Sequence, residues 1–514
     1  MRRLTRDEDG TILVFVAIAL AVLLGMIALS FDMGRLAASQ SELQSFADNV
    51  ALAAAGELDG RGDSIDRARA AAAAMISDSQ TFGTGGRALA ATDVSLGGDV
   101  RLTFMSAIDA DDAAPLADTV IDADGGYSTA EQRMARYVRV RVRDHDVPLT
   151  FAAAFVGMSG EDEPNHAVSG DAVAGFTQFA CDTTPLMFCI PHTGWTADAN
   201  VGDLLVLRTG GNGAAWQPGN FGFLDPTTTA IPNPAGPCAG MSATGNKLWQ
   251  CLVGAAGQVT SCYEINNGVD TEPGQKNGLA AAFNTRFDQF DTTMNDERND
   301  PDYAPAPNVI DGYETPRQGK KCDSINMTPD QSAKNTPLNQ ESRPLPVDDC
   351  ISSGTCASSF VGSDRFGDGV WAQGRRAYID TNYGNNNRNY ADDTDPFPTA
   401  TTRYQFYLRE IGATSAGRIL GSPRRETGVP QCHQNPSTDP DRRSIIAAAV
   451  DCQTNTFSGR ASDIPVQEFV KIFMVQPVGT DHSDFNFYGE VVGSVGGAGS
   501  ATDGTFRDFV QLYR

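Results

Sequence analysis

Positive charge is scarce in this chain, and so are histidine, early cysteines and the short motifs that mark enzymes. Lys and Arg total 39 against 64 Asp and Glu, giving a formal charge of −25 and a pI near 4.5. A surface of that sign repels polyanions, which argues against nucleic acid as a partner and against a polybasic lipid-binding body. The five histidines are His145, His166, His192, His433 and His482, and no two stand at i, i+4, so a sequence-local zinc pair is missing. GxSxG, HExxH and GxxxxGK[ST] are all absent, which removes the hydrolase elbow, the zincin helix and the phosphate loop. Three Asp-rich patches (Asp109, Asp111 and Asp112; Asp122 and Asp124; Asp392, Asp393 and Asp395) lack the EF-hand spacing and its closing glutamate, and read as solvated loops. The expectation is a non-enzyme with no cofactor, catalytic residue or metal ligand. Arg61-Gly62-Asp63 spells an adhesion tripeptide at a helix junction and reads as chance, and Asn326-Met327-Thr328 is a weak sequon.

Cysteine is absent from the first 180 residues and never spaced CxxC. The ten that follow are Cys181, Cys189, Cys238, Cys251, Cys262, Cys322, Cys350, Cys356, Cys432 and Cys452. Without CxxC, zinc ribbons and thioredoxin-like sites lose their signature, and an even set reads as structural disulfides in an oxidising compartment. Spacing does not fix the pairing. The sequence-near candidates are Cys181/Cys189, Cys350/Cys356 and Cys432/Cys452.

What the chain does have is one uncharged run of 21 residues, Thr11 to Phe31. At about 1.5 Å of rise per residue, such a helix crosses a hydrocarbon core of about 30 Å. Ile12, Leu13, Val14, Phe15, Leu20, Leu23, Leu24, Ile27 and Leu29 are its candidate lipid-facing anchors. Arg2, Arg3 and Arg6 precede it, whereas only Arg35 follows before Arg61. Basic residues set topology and acidic ones count for little, so Asp7, Glu8 and Asp9 do not reverse a cytoplasmic N-terminus with an exported body. Ala28-Leu29-Ser30 also has the form of a signal-peptidase site, and cleavage there would release the body.

The helical pattern does not stop at Ser30. Leu36, Leu43, Phe46 and Val50 recur at intervals of three, four and seven with polar residues between them, the pattern of an amphipathic helix. They are candidates for helix docking, either in the protein's own core or against partner helices. Gly60 and Gly62 are expected to end this helix, and Asp63 and Ser64 to start a second one running to about Ser77. Strands follow: a hairpin around Gly97-Gly98-Asp99, then Tyr137 to Arg143 with buried Val138, Val140 and Val142 and a wet arginine face, then His166 to Gln178. Leu149 to Val156 reads as a short helix between them. Residues 290–360 and 380–400 read as irregular loops pinned by cysteines. Apolar strands return in the last 75 residues, where the C-terminus is expected inside a packed sheet.

The fold class expected is α+β, with an N-terminal transmembrane helix continuing into an amphipathic helix, a small antiparallel α+β module, and a β-rich disulfide-stapled body. Its divisions are residues 1–10 (cytoplasmic), 11–31 (span), 32–80 (helical stalk), 81–180 (α+β module) and 181–514 (cysteine-containing body).

The stretch from Arg6 to Gly60 resembles the TadE/TadG-like proteins of bacterial tight-adherence (Tad, or Flp) pilus systems. The matching points are Asp-Glu-x-Gly before the span, Phe31-Asp32-Met33-Gly34-Arg35 at its exit, and Glu42-Leu43-Gln44 with Ala47-Asp48 leading into an alanine-rich helix. PLMFCIP at 185–191, NFGFLDP at 220–226 and FYGEVVGSV at 487–495 are similar to longer, cysteine-containing TadG-like proteins. The resemblance implies a single-pass protein of the bacterial inner membrane, with a periplasmic body that assists assembly or anchoring of a thin adhesive pilus. Partners would be other Tad/Flp pilus assembly proteins or pseudopilins, met through the N-terminal helix. Two features depart from relatives. A prepilin-type cut after Gly10 would put Phe15 where Glu is expected, so such processing is not expected. The DxSxS motif of a von Willebrand A-type metal site is absent. A secreted or surface-exposed adhesin released by signal peptidase is the alternative, and a periplasmic hydrolase the third reading.

Overall fold

A computed structural model of the chain describes residues 9–75, 99–109, 120–121, 126–149, 151, 166–209, 215–225, 236–241, 246–256, 262–264, 268–272, 279–290, 292–307, 313–314, 322–323, 344–356, 363–382, 395–412, 433, 435–478, 485–497, 500–501 and 506–513. The fold is a long apolar N-terminal helix followed by mixed α and β structure with antiparallel sheets and disulfides. It divides into two compact units, Met1–Thr177 with Asp508–Arg514, and Gln178–Arg507.

The first unit begins with one unbroken helix, α1 (Asp9–Ala55), of 47 residues. It ends ahead of Gly60 and Gly62, with Gly56 N–H still bonded to Leu52 O at 3.1 Å. In the turn that follows, Gly60 takes a φ of 84°, and Gly62 leaves room for Thr129, whose Cγ2 would lie 2.5 Å from a side-chain carbon there. The Arg61-Gly62-Asp63 triplet thus sits in a turn that is packed at Gly62, with Arg61 and Asp63 exposed. Arg67 ties that turn to helix α2 (Ser64–Met75) through Glu57 and Asp59, each at 2.5 Å, and Asp63 at 3.2 Å.

The sheet of this unit contains β1 (Val100–Met105), β2 (Val120–Ile121), β3 (Tyr137–Val147) and β4 (His166–Ala180), with the short capped helix α3 (Thr129–Met134) leading into β3. The C-terminal strand β16 (Phe506–Leu512) adds itself beside β4, giving the order β16-β4-β3-β1-β2. Most of β16 is exposed, so the C-terminus forms a sheet edge rather than the interior position expected for it. FRDFVQLY is apolar enough for a strand, but its charged Arg507 and Asp508 suit an edge. Residues 94–98 of the expected hairpin lie outside the described residues. Within them, β1 pairs with β2 and β3. The expected helix at 149–156 is described only at Leu149 and Phe151.

Alternation along β3 sends Val138, Val140 and Val142 inward and the arginines outward. Register then builds rows across the sheet: Val100–Val142–Gly170, Leu102–Val140–Ala172 and Phe104–Val138–Ala174. Side chains shrink toward β4, and the helices fill the space. Leu43, Ala47, Val50, Ala51 and Ala54 of α1 share one core with Ile65, Ala68 and Ala72 of α2 and with these rows. At Gly170 a side-chain carbon would stand 2.6 Å from the backbone oxygen of Leu43. On the wet face Asp171 holds Arg139, with Nε to Oδ1 at 2.8 Å, and Arg141 at 3.3 Å.

The second unit is built on a closed barrel. Its strands are β5 (Leu186–Cys189), β6 (Leu204–Thr209), β7 (Asn220–Leu224), β12 (Ser444–Val450), β13 (Glu468–Met474) and β14 (Asn486–Gly497). The order β13-β12-β5-β7-β6-β14 closes because β14 also pairs with β13. Two of the pairings, β12–β5 and β6–β7, are parallel. Short strands β9 (Thr271–Glu272) on β7 and β15 (Ser500–Ala501) on β14 extend it, while β8 (Tyr263–Glu264) pairs with the end of β4 in the other sheet and β10 (Tyr313–Glu314) with β11 (Cys322–Asp323) forms a separate pair. Alternate residues of all six barrel strands, among them Phe188, Leu205, Phe221, Ile445, Ile472 and Phe487, share one interior. That core continues into helices α4 (Asn246–Gly254) and α5 (Leu279–Asn284), which add Trp249, Leu252 and Phe283. The outward sets are covered too, on one side by α6 (Asp349–Ser353), α7 (Ala372–Asn382) and α8 (Arg403–Ile411). Part of the stretch read as irregular loop, from 290 to 360 and 380 to 400, thus carries 3-10 turns and α6; much of the rest lies outside the described residues.

Among the described residues this unit holds four disulfides: Cys181–Cys262, Cys189–Cys452, Cys238–Cys251 and Cys350–Cys356. Only Cys350/Cys356 joins sequence neighbours as expected. Cys181 and Cys189 do not pair with each other, because β5 carries Cys189 alongside the end of β12, where Cys452 waits 263 residues on. Cys452 is therefore not the partner of Cys432, which lies outside the described residues, as does the side chain of Cys322.

Two outcomes follow for the full chain in detergent. Gly170→Val forces the α1 backbone off the sheet and lowers the stability of the first unit by roughly 2–3 kcal/mol in urea unfolding, with Gly170→Ala intermediate. Replacing Cys189 and Cys452 together by Ser lowers the stability of the second unit by about 2–5 kcal/mol by the same measurement, leaving the first unit's transition in place.

Candidate membrane anchor and docking helix

Helix α1 is two chemical objects on one backbone. Its first half is apolar on every face, and Ile12, Leu13, Val14, Phe15, Leu20, Leu23, Leu24, Ile27 and Leu29 are all exposed. No other helix among the described residues is long and apolar enough to cross a membrane. Alanine, leucine and isoleucine keep it helical without any neighbour. In lipid a helix meets all its backbone hydrogen bonds internally. Arg2, Arg3 and Arg6 lie outside the described residues.

The second half docks. Leu43 and Val50 are fully buried, while Leu36 and Phe46 are half-buried against the same core. All four are thus engaged within the first unit itself. Two residues missing from the docking set expected from periodicity do as much to fix the helix. Gln40 Nε2 donates to Ser169 O at 2.8 Å, and one turn later Gln44 Nε2 donates to Asp171 O at 2.9 Å while its Oε1 accepts from Asp171 N–H at 3.4 Å. The two glutamines serve the β4 backbone as a neighbouring strand would, on either side of the close approach at Gly170. Their i, i+4 spacing was visible in the sequence, but nothing marked them off from ordinary surface glutamines.

The boundary between the halves is Asp32. It is 2% exposed although it directly follows the apolar run. Its carboxylate accepts from Phe151 N–H at 3.3 and 3.1 Å, and the Phe31 ring packs edge-on against Phe151 with centroids 5.3 Å apart.

Elsewhere the buried charges read as structural. A cleft of about 550 Å³ in the second unit is lined by Thr183, Thr184, Arg286, Asp441, Arg442 and Lys471 among others. Arg442 commits its guanidinium to Gly254 O at 2.6 Å, Ala255 O at 3.3 Å and Ala304 O at 2.6 Å, and Arg286 reaches Val253 O. The two arginines cap the carbonyl end of α4, where its dipole is negative. Burial pulls Arg286 down to about 10 and Arg442 well below its usual value, the latter with Arg286 as second cause. On the other side of the barrel Arg403 is fully buried between Asp348 and Glu490, with Nη1 to Glu490 Oε2 at 2.9 Å. Glu490 also accepts from the N–H groups of Arg403 and Tyr404, each at 2.8 Å, at the start of α8. Nearby Asp203 is pushed up to about 7, first by burial and then by Asp348 and Asp368, with Arg403 opposing.

Of the histidines, His433 is a packed core residue, with its ring against Phe290 and Asp300 O, and His166 and His192 are exposed; the side chains of His145 and His482 lie outside the described residues. No group of three His, Cys, Asp or Glu side chains among the described residues could hold a metal.

These observations define a body carried on a helix of which one half is suited to lipid and the other is docked on a sheet. Residues 10–57 match the family described as Tad, putative Flp pilus-assembly TadE/G-like, the family that the sequence resembles. Neither a curated protein nor a solved structure matches the chain. The matched segment is almost coextensive with α1. PLMFCIP, NFGFLDP and FYGEVVGSV, the body segments quoted for the resemblance, contribute barrel strands β5, β7 and β14.

Asp203 gives a pH signature. Above its unfolded value near 4 and below about 7, the folded chain holds a proton that the unfolded chain releases, so stability falls as pH rises through that window. Asp203→Asn removes this slope. Relative to the parent, the variant's second-unit Tm gains about 2 °C on going from pH 5 to pH 8 in calorimetry, a figure already discounted for partial exposure.

Proposed function

We propose that this chain is a structural component of Tad/Flp-type pilus assembly, held in the inner membrane by residues 11–31 with its N-terminus cytoplasmic and its body periplasmic. The observation that carries the reading is the coincidence of the family match with α1, half of which has no cover. The arginines before the span support the orientation, and the four disulfides support an oxidising compartment for the body. In this reading residues 32–80 are the helical stalk, 81–180 the module on which it docks, and 181–514 the body, except for β16, which joins the sheet of that module. A hydrophobic helix of this kind serves as anchor and as packing element at once. Because its docking half is engaged in the first unit, the surface left for other pilus-assembly proteins or pseudopilins is the lipid-exposed half.

The match of residues 10–57 to a pilus-assembly family favours a structural role over a hydrolase. The rival is release by signal peptidase after Ser30, which would leave a soluble adhesin starting at Phe31. Cell fractionation with mass spectrometry of the mature N-terminus decides between them. The expected result is an uncleaved span in the inner-membrane fraction and a body digested by protease only after the outer membrane is opened. A mature chain beginning at Phe31 in the soluble fraction would overturn the proposal.

A further inference from the structure

The exit of α1 carries more apolar surface than a single helix needs. Asp32 is the first charge after the run, and water would be its ordinary partner. Its oxygens instead hold the backbone N–H of Phe151, a residue 119 positions away, and so fix that residue beside the end of the apolar run. Phe31 and Phe151 meet edge to face at 82°, yet both rings stay open, 56% and 45% exposed, with Met33 beside them in sequence at 58%. Phe151 belongs to the stretch VPLTFAAAFVGMSG, residues 147–160, which has no charge in a chain one-fifth charged. An exposed apolar cluster is unfavourable in water. This one is continuous with the surface of a helix of lipid-spanning length, which points to the headgroup–acyl boundary as its cover.

We propose that Phe31, Met33 and Phe151 form an interfacial collar, through which the first unit touches the bilayer at a second chain segment besides α1. Asp32 is the positioning residue that holds Phe151 there. The collar restricts the tilt of the first unit against the membrane, because two points of attachment replace one. The inference rests on the reading of residues 11–31 as a membrane span.

The test uses the full chain with its disulfides formed, reconstituted in phosphatidylcholine–phosphatidylglycerol vesicles. An environment-sensitive fluorophore is placed at Phe151→Cys, at Leu23→Cys inside the span, and at Arg141→Cys on the wet sheet face. With a nitroxide lipid carrying its spin near the headgroup, the label at 151 is expected to lose roughly half its emission, while the label at 141 is unchanged. With a deep nitroxide, the label at 23 is quenched most. Phe151→Trp, a conservative replacement, reports the same contact as quenching by brominated lipid over the background of the parent's own tryptophans. A label at 151 that ignores lipid quenchers while that at 23 responds would overturn the collar and leave the span standing; a protein partner or a second copy covering Phe151 gives that result. Loss of quenching at both positions would remove the span itself.

Discussion

In the proposed membrane-anchored chain, one backbone has to satisfy two solvents. Helix α1 can do so because its hydrogen bonds are internal throughout, so the same 47 residues remain helical in hydrocarbon and against a sheet. Only the side chains change, from an all-apolar cylinder to a stripe of Leu43, Ala47, Val50 and Ala54. The rest of the first unit is arranged around that second half. Small residues on β4 make room for it, Gly170 admits its backbone, and Gln40 and Gln44 take up strand groups that would otherwise need a further strand.

The second unit solves a different problem. A sheet with open edges invites pairing with other chains, and closing six strands into a barrel removes those edges. Closure is achieved here with short strands, four residues in the case of β5, which gain support from buried ionic caps and from disulfides joining distant segments. Arg403 between Asp348 and Glu490 links a loop, a helix start and β14, while Arg286 and Arg442 finish α4. Such groups hold the barrel's covering layers in one arrangement, since a buried charge stripped of its partners is strongly unfavourable.

Much of this organisation can be read from the residues alone, and the reasons for success and failure are physical. The apolar run, the stripe after it and the alternation of Val138, Val140 and Val142 are local periodicities, and the structure shows the corresponding elements. The barrel is not local. Its order β13-β12-β5-β7-β6-β14 joins segments hundreds of residues apart, and strands buried on both faces, such as LMFC, have no alternation to read. The same distance hid the pairing of Cys189 with Cys452. At the anchor, Leu43 and Val50 were legible as apolar positions, whereas Asp32, Gln40, Gln44 and Gly170 act through partners more than a hundred residues away. The C-terminal strand misled because apolar content distinguishes strand from loop but not centre from edge.

In the proposed anchored chain, α1 runs unbroken from lipid into the folded unit, with Asp32 at the boundary. Hydrogen–deuterium exchange of the full chain in lipid nanodiscs tests it most directly. Continuous slow exchange from residue 12 through residue 55, with no gap at 30–34, is the predicted result. Fast exchange confined to residues 30–36, between two protected segments, would show a hinge where a rigid rod is required and would contradict the account.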